Sequence, residues 1–169
     1  LGVVLPHGIL FRGGAEGRIR EEILKDDLIE AIIGLAPNLF YGTGIPACVI
    51  IINRDKPADR KGKVLFVHGA EEMVPGKNQN SLSDENVDRL VEAFKAYSDE
   101  DRFSRIVDLD EIEGNDWNLN IARYVDTTEP EEQIDVAEEY KKLKELTATR
   151  NEAEAKMDAY LKELGYDRS

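Results

Sequence analysis

Four short apolar runs fall within the first 70 residues: "GVVLP" (2–6), "LIEAIIGL" (28–35), "ACVIIIN" (47–53) and "VLFVHGA" (64–70). Runs this short, rich in β-branched residues and bounded by Pro, Gly or Asn, read as buried strands rather than helices. Only one stretch of helical period separates the first pair, "AEGRIREEILKDD" (15–27), after a loop "HGILFRGG" (7–14). It sets Ile19, Ile23 and Leu24 at helical spacing, with Glu16 in the first turn and Lys25 in the last, complementary to the helix dipole. A strand–helix–strand order requires parallel strands joined by a right-handed crossover. The eleven residues 36–46 are too few for a second crossover, so strand 47–53 is expected to run antiparallel to 28–35. A charged turn, "RDKPADRKGK" (54–63), leads to the fourth strand. The fold class is α/β with a mixed sheet.

After residue 70 the pattern changes. "EEMVPGKNQNSL" reads as loop, and Ser83 is placed to cap a helix over about 84–98 with Val87, Leu90, Val91 and Phe94 on one face. Residues 103–125 read as short extended pieces around a turn at Gly114–Asn115, and 126–132 as a linker. From Gln133 to Leu164 there is no Gly or Pro. Val136, Tyr140, Leu143, then Leu146, Ala153, Met157, Tyr160 and Leu164 form a narrow apolar stripe, with one slip after Leu143 and Arg150 in the seam. This predicts a long helix or helical hairpin whose stripe needs a partner. The chain is expected to divide into 1–70, 71–128 and a helical arm 129–169.

The formal net charge of −13 is unevenly spread. Residues 1–70 carry 9 Lys/Arg against 8 Asp/Glu, leaving 13 basic and 27 acidic groups after them. The first segment can therefore approach phosphate without repulsion, while the second suits solvation or a protein partner. The single cysteine, Cys48, excludes an internal disulfide and fits a reducing cytoplasm. No apolar run reaches the ~18 residues of a membrane span, so no membrane partner is expected. His7 and His68 each lack a second ligand at metal spacing, and no metal is expected. Leu1 enters at once into a strand, which reads as a fragment. Strand 2–6 would then lack a neighbour, and its exposed edge invites a homodimer or disorder near 1–14.

"GVVLPHGILFRGGAEGRIREEILKDDLIEAIIGLAPNLFYGTGIPACVIIINRDK", with "KVLFVHGAEE", "KNQNSL" and "NDWNLNIARYV" in order, resembles the C-terminal part of the methylation (M) subunit of type I restriction–modification systems. The resemblance implies an S-adenosylmethionine-dependent adenine-N6 DNA methyltransferase with a Rossmann-like sheet. In it, 2–6 corresponds to the fifth strand, 28–35 to the sixth and 47–53 to the antiparallel seventh. It further implies DNA, the specificity (S) subunit and the restriction (R) subunit as partners. The family's Gly-rich cofactor loop and Asn-Pro-Pro-aromatic tetrad have no counterpart here: no G-x-G follows a strand, and the sequence has no Pro-Pro. The chain by itself is expected to be inactive, with no catalytic residue and no cofactor of its own.

The resemblance also assigns roles. Phe40, with Tyr41 as the second choice, stacks on an adenine extruded from the duplex, since loop 36–46 leaves the carboxyl end of a parallel strand, where α/β sheets bind ligands. From the residues themselves, the glycine-flanked amides of Gly42, Thr43 and Gly44, and Arg12 in the loop that feeds a helix N-terminus, are expected to contact the DNA backbone. Arg18 and Arg20 are expected to be solvated or paired with Glu21 and Glu22, and "KNQN" (77–80) to bond within its own turn, with DNA contact as the alternative. Tyr140, Leu143, Leu146, Met157, Tyr160 and Leu164 form the partner-binding face of the terminal helix. The competing reading is a non-catalytic α/β interaction module that acts only as an assembly partner.

Overall fold

The computed structural model describes residues 1–127 and 136–166. The chain forms two compact units, Leu1–Thr128 and Glu129–Ser169. The first is a five-stranded mixed sheet with helices on both faces. In chain order it contains β1 (Gly2–Pro6), α1 (Gly14–Lys25), β2 (Ile29–Leu35), β3 (Ala47–Ile52), β4 (Lys63–Gly69), α2 (Asp84–Ala96), β5 (Ser104–Asp108) and α3 (Leu109–Gly114). Short 3-10 turns stand at His7–Leu10, Ala58–Arg60 and Ile121–Arg123.

The strand order is β1-β3-β2-β4-β5. β3 is antiparallel to both β1 and β2, so those two run parallel with β3 between them. β2 pairs in parallel with β4, and β5 closes the far edge antiparallel to β4. The antiparallel reading of β3 against β2 therefore holds. Strand β2 is buried along its whole length, which explains its unbroken apolar run: both of its faces are covered. In β4 the alternation is clean. Val64 and Phe66 join Leu10, Leu24 and Ile112 under α1 and α3, while Leu65 and Val67 join Leu90, Ala93 and Tyr97 under α2.

Three expectations need correction. The buried face of α2 is Leu90, Ala93 and Tyr97 with Phe94 packed beside them, whereas Val87 and Val91 are exposed. The helix is rotated about 60° from the expected face: its C-cap residue Tyr97, left-handed at φ 45°, is buried with that face and donates its hydroxyl to Glu30 O. Residues 103–125 hold a strand and a short helix rather than extended pieces alone; Gly114 ends α3, and the turn expected at Gly114–Asn115 follows it at 115–117. Helix α1 stops at Lys25, and 26–27 form its cap. Ser83 caps α2 through a reciprocal pair with Asn86, as its position suggested.

The cap of α1 is a Schellman motif with Asp27, not glycine, in the left-handed position (φ 53°). Asp27 N donates to Leu24 O and Leu28 N to Ile23 O. The Asp27 carboxylate then accepts from Lys56 Nζ at 2.5 Å and from Gly62 N at 3.0 Å. Beside it Arg60 Nη1 donates to Glu30 Oε1 at 2.9 Å and stacks over Tyr97. This buried network ties the 53–62 connection to the amino-terminal edge of β2 and β4.

The second unit is described by itself. Helix α4 (Val136–Glu163) is one continuous helix, not a hairpin, over its described length. It ends in another Schellman motif: Gly165 N donates to Lys162 O and Tyr166 N to Leu161 O, with Gly165 at φ 79°. The linker expected at 126–132 lies mostly outside the described residues, as do 133–135 at the expected helix start.

Candidate nucleic-acid interface

Because β1, β2 and β4 share one direction, their carboxyl ends open at one edge of the sheet. The loops after Pro6, Leu35 and Gly69 all leave there, which is where open α/β sheets receive ligands. The 36–46 loop occupies the middle of this edge. Asn38 is left-handed (φ 62°), and Phe40 bridges to Thr43 across a tight turn whose bend is Gly42 (φ 75°). Thr43 Oγ1 accepts from Ile45 N at 3.1 Å, fixing the exit of the turn toward Pro46.

The two rings are placed differently. Tyr41 stands at the tip with 93 % of its surface exposed. Phe40 is 45 % exposed and forms a shared wall between clefts. One, of about 400 Å³, lies toward Val4, Leu5 and Pro6 at the end of β1. Another, also about 400 Å³, lies toward Gln79, Asn80, Ser81 and Leu82. A third, of about 310 Å³, is lined by Asn38, Tyr41, Gly42, Thr43, Gly44, Asn78 and Gln79 with Phe40. None of the residues lining these clefts is charged. Among the described residues neither the Gly42 nor the Gly44 amide has an intrachain acceptor, whereas the Thr43 amide leans on Phe40 O at 3.5 Å.

Arg12 is exposed at the same edge, 3.8 Å from Glu16. Arg18 is exposed on α1. Arg20 corrects the expectation of a solvated or Glu-paired side chain. It donates to the carbonyls of Ile9 and Trp117 at 2.8 Å and of Arg12 at 3.0 Å, pulling loop 7–13 and the segment after α3 onto α1. Burial lowers its pKa, with Glu16 opposing. His7 follows β1 and His68 lies next to the last residue of β4; burial, and after it the electrostatic influence of His68, push the His7 pKa down. No group of side chains that could hold a metal ion occurs among the described residues. No described helix is long and apolar enough to cross a membrane.

Residues 77–80 do more than bond within their own turn. They reach across to the 36–46 loop through Gln79 and Asn80. Sequence reasoning missed this because amide-to-carbonyl bonds between loops leave no periodic signal. On α4, and at Leu164 just past its end, the side chains of Tyr140, Leu143, Leu146, Met157, Tyr160 and Leu164 are all exposed. At about 100° per residue, Leu146, Ala153, Met157, Tyr160 and Leu164 share an arc of about 60°, and Tyr140 and Leu143 lie progressively off it.

Residues 1–133 match the family model described as N-6 DNA Methylase. The chain belongs to the N-6 DNA methylase family. Within that family it is 40% identical over 166 residues to the type I restriction enzyme MjaVIII methylase subunit of Methanocaldococcus jannaschii, covering 96% of this chain and 29% of that protein. It is 44% identical over 155 residues to the MjaVII methylase subunit of the same organism, covering 90% and 27%. Among solved structures, the type I restriction-modification system methyltransferase subunit from Streptococcus thermophilus superimposes with a TM-score of 0.69 at 42% identity, covering 74% of this chain and 26% of that one. This N-6 DNA methylase chain thus spans less than a third of the length of these two curated relatives. The resemblance drawn from "LPHGILFRGG", "NLFYGTGIP" and "LNIARYV" holds.

Proposed function

We propose that this chain is the C-terminal portion of the modification subunit of a type I restriction–modification system, a cytoplasmic, site-specific adenine-N6 DNA methyltransferase. Its sheet is the later part of a Rossmann-like sheet, β1, β3 and β2 standing as the fifth, seventh and sixth strands. The β1–β3 order supports this, with the antiparallel strand inserted between two parallel ones. So does the apolar surface near β1. An apolar groove of about 250 Å³ runs between Val3, Leu5, Ile50, Ile19 and Ile23, and Val4 is exposed on the opposite face. The rest of the subunit would cover both.

The observation that carries the functional reading is Phe40, a half-exposed ring held at the carboxyl edge between uncharged clefts. Extruding an adenine from a duplex costs a few kcal/mol. An aromatic face returns roughly 1–3 kcal/mol of it. Phe40, with Tyr41 beside it, stacks on the extruded base, while Arg12 and the amides of the Gly42-Thr43-Gly44 turn take the flanking phosphates. S-adenosylmethionine supplies the methyl group in the intact enzyme. It does not fit the residues here: it carries a sulfonium and an ammonium, and the clefts around Phe40 offer no carboxylate. Its site belongs to the remainder of the subunit, and the isolated chain is inactive. The stripe of α4 docks the S subunit, with the R subunit joining the assembled complex.

In the intact methylase, Phe40→Ala should leave S-adenosylmethionine affinity unchanged and slow methylation of cognate duplex roughly 5- to 150-fold. Near-normal methylation in both Phe40→Ala and Tyr41→Ala would sink the stacking role.

A further inference from the structure

We infer that Gln79 and Asn80 are positioning residues that fix where the Phe40 ring stands, an inference that rests on the reading of loop 36–46 as the base platform. Three hydrogen bonds cross from this pair to three successive carbonyls just ahead of Phe40. Asn80 Nδ2 donates to Pro37 O at 2.9 Å, Asn80 N to Asn38 O at 2.9 Å and Gln79 Nε2 to Leu39 O at 2.7 Å. The donors are themselves held. Val74 and Ser81 exchange both backbone bonds at 2.8 and 3.0 Å, and Gly76 N donates to Asn80 Oδ1 at 3.3 Å. Gly76 lies so close to Gln79 that an added Cβ would stand 1.9 Å from its carbonyl oxygen, so the clamp turn leaves no room for a side chain there. Immediately beyond, Ser83 caps α2.

The 36–46 loop needs this. Eleven residues joining two strands have many conformations, and its own internal bonds lie on the far side of Phe40, at Thr43 and Ile45. On the near side, the described hydrogen bonds to residues 37–39 come from the clamp. A displacement of about 1 Å in a group that positions substrate can cost up to ~100-fold in rate. Phe40 lines the cleft it shares with Gln79 and Asn80, so the clamp borders the place where a stacked base would sit.

The test uses isosteric changes that remove a donor and keep the shape. Gln79→Glu loses the bond to Leu39 O. Asn80→Asp loses the bond to Pro37 O while its remaining oxygen still accepts from Gly76 N. Single-turnover methyl transfer by the intact methylase on cognate duplex is measured for each, alone and combined with Phe40→Ala, alongside thermal midpoint and S-adenosylmethionine affinity. Each is expected to slow transfer about tenfold in the Phe40 background and to have no further effect once the ring is gone. Midpoint and cofactor affinity should stay unchanged. Wild-type rates in both variants, or the same slowing in both backgrounds, would overturn the clamp while leaving the platform standing. If Phe40→Ala is itself silent, the platform reading fails first, and the clamp falls with it.

Discussion

Asp27 concentrates three tasks in one residue. It adopts the left-handed conformation that ends α1, it takes the ammonium of Lys56, and it accepts the Gly62 amide. Lys56 is 98% hidden from solvent at its side chain, where only 2% is exposed, so its charge has no recourse to water. Removing one partner of such a pair typically costs more than removing both, because the survivor stays buried and charged. Asp27→Ala should therefore lower the unfolding free energy of the sheet unit by roughly 3 kcal/mol, and Asp27→Ala combined with Lys56→Met by less. Urea unfolding checks both, and a double variant that loses as much as or more than Asp27→Ala would contradict the cost assigned to the stranded Lys56 ammonium. Nothing in the sequence "LKDDLIE" distinguishes Asp27 from Asp26; the difference arises from a backbone turn that only the tertiary partner makes favourable.

Three buried acids give the same unit a pH signature: Cys48, Tyr97 and Tyr124, whose phenol burial also raises. Burial raises the Cys48 thiol from 9.0 to about 11, and burial, with the nearby Glu30 charge next, raises the Tyr97 phenol from 10.0 to about 12. In each case the unfolded chain gives up its proton first, so unfolding releases protons and stability must fall as pH rises. The losses begin near pH 9 for Cys48 and near pH 10 for Tyr97, and are complete above about 11 and about 12. The urea midpoint should be flat from pH 7 to about 8.5 and then decline. Cys48→Ala with Tyr97→Phe should flatten that decline; an unaltered slope would mean that other groups dominate.

At the scale of elements, the strands were legible because their signal is local. β2 and β3 are continuous apolar runs, and the shortness of 36–46 forced them antiparallel. The inward face of α2 was misread because Val87 and Val91 are as apolar as Ala93, and apolarity alone cannot say which side meets the sheet. Tyr97 decides it by reaching Glu30 O and Lys63 O from a cap position. Arg20 was misread for the complementary reason: charged neighbours at Glu21 and Glu22 suggested ion pairs, but three backbone carbonyls of distant segments bind it instead. Helix α4 carries its own prediction. If its stripe docks the S subunit, Tyr160→Glu and Leu146→Glu should each weaken that association at least tenfold, because a carboxylate must be desolvated at an apolar contact. Co-purification and titration of the two subunits measure it. Unchanged affinity for both variants would remove the stripe from the interface.

At the scale of the molecule, the carboxyl edge gathers what the sequence listed separately. The segments "LPHGILFRGG", "NLFYGTGIP" and "KNQN" are spread over residues 5–80 of the chain, yet the parallel direction of β1, β2 and β4 delivers all three to one side. The opposite edge holds the part-buried Asp27–Lys56 and Glu30–Arg60 pairs, each with one buried partner, and is built for stability. Placing a ring at the first edge and fastening its loop to a second loop makes physical sense if something planar must be held there briefly and reproducibly. The most direct measurement replaces the target adenine of a cognate duplex with 5-iodouracil and irradiates its complex with the intact methylase, S subunit included. The cross-linked peptide is then mapped by mass spectrometry. The account predicts attachment at Phe40, or at Tyr41 beside it. A cross-link that maps elsewhere in the protein, with none between residues 36 and 46, would contradict it.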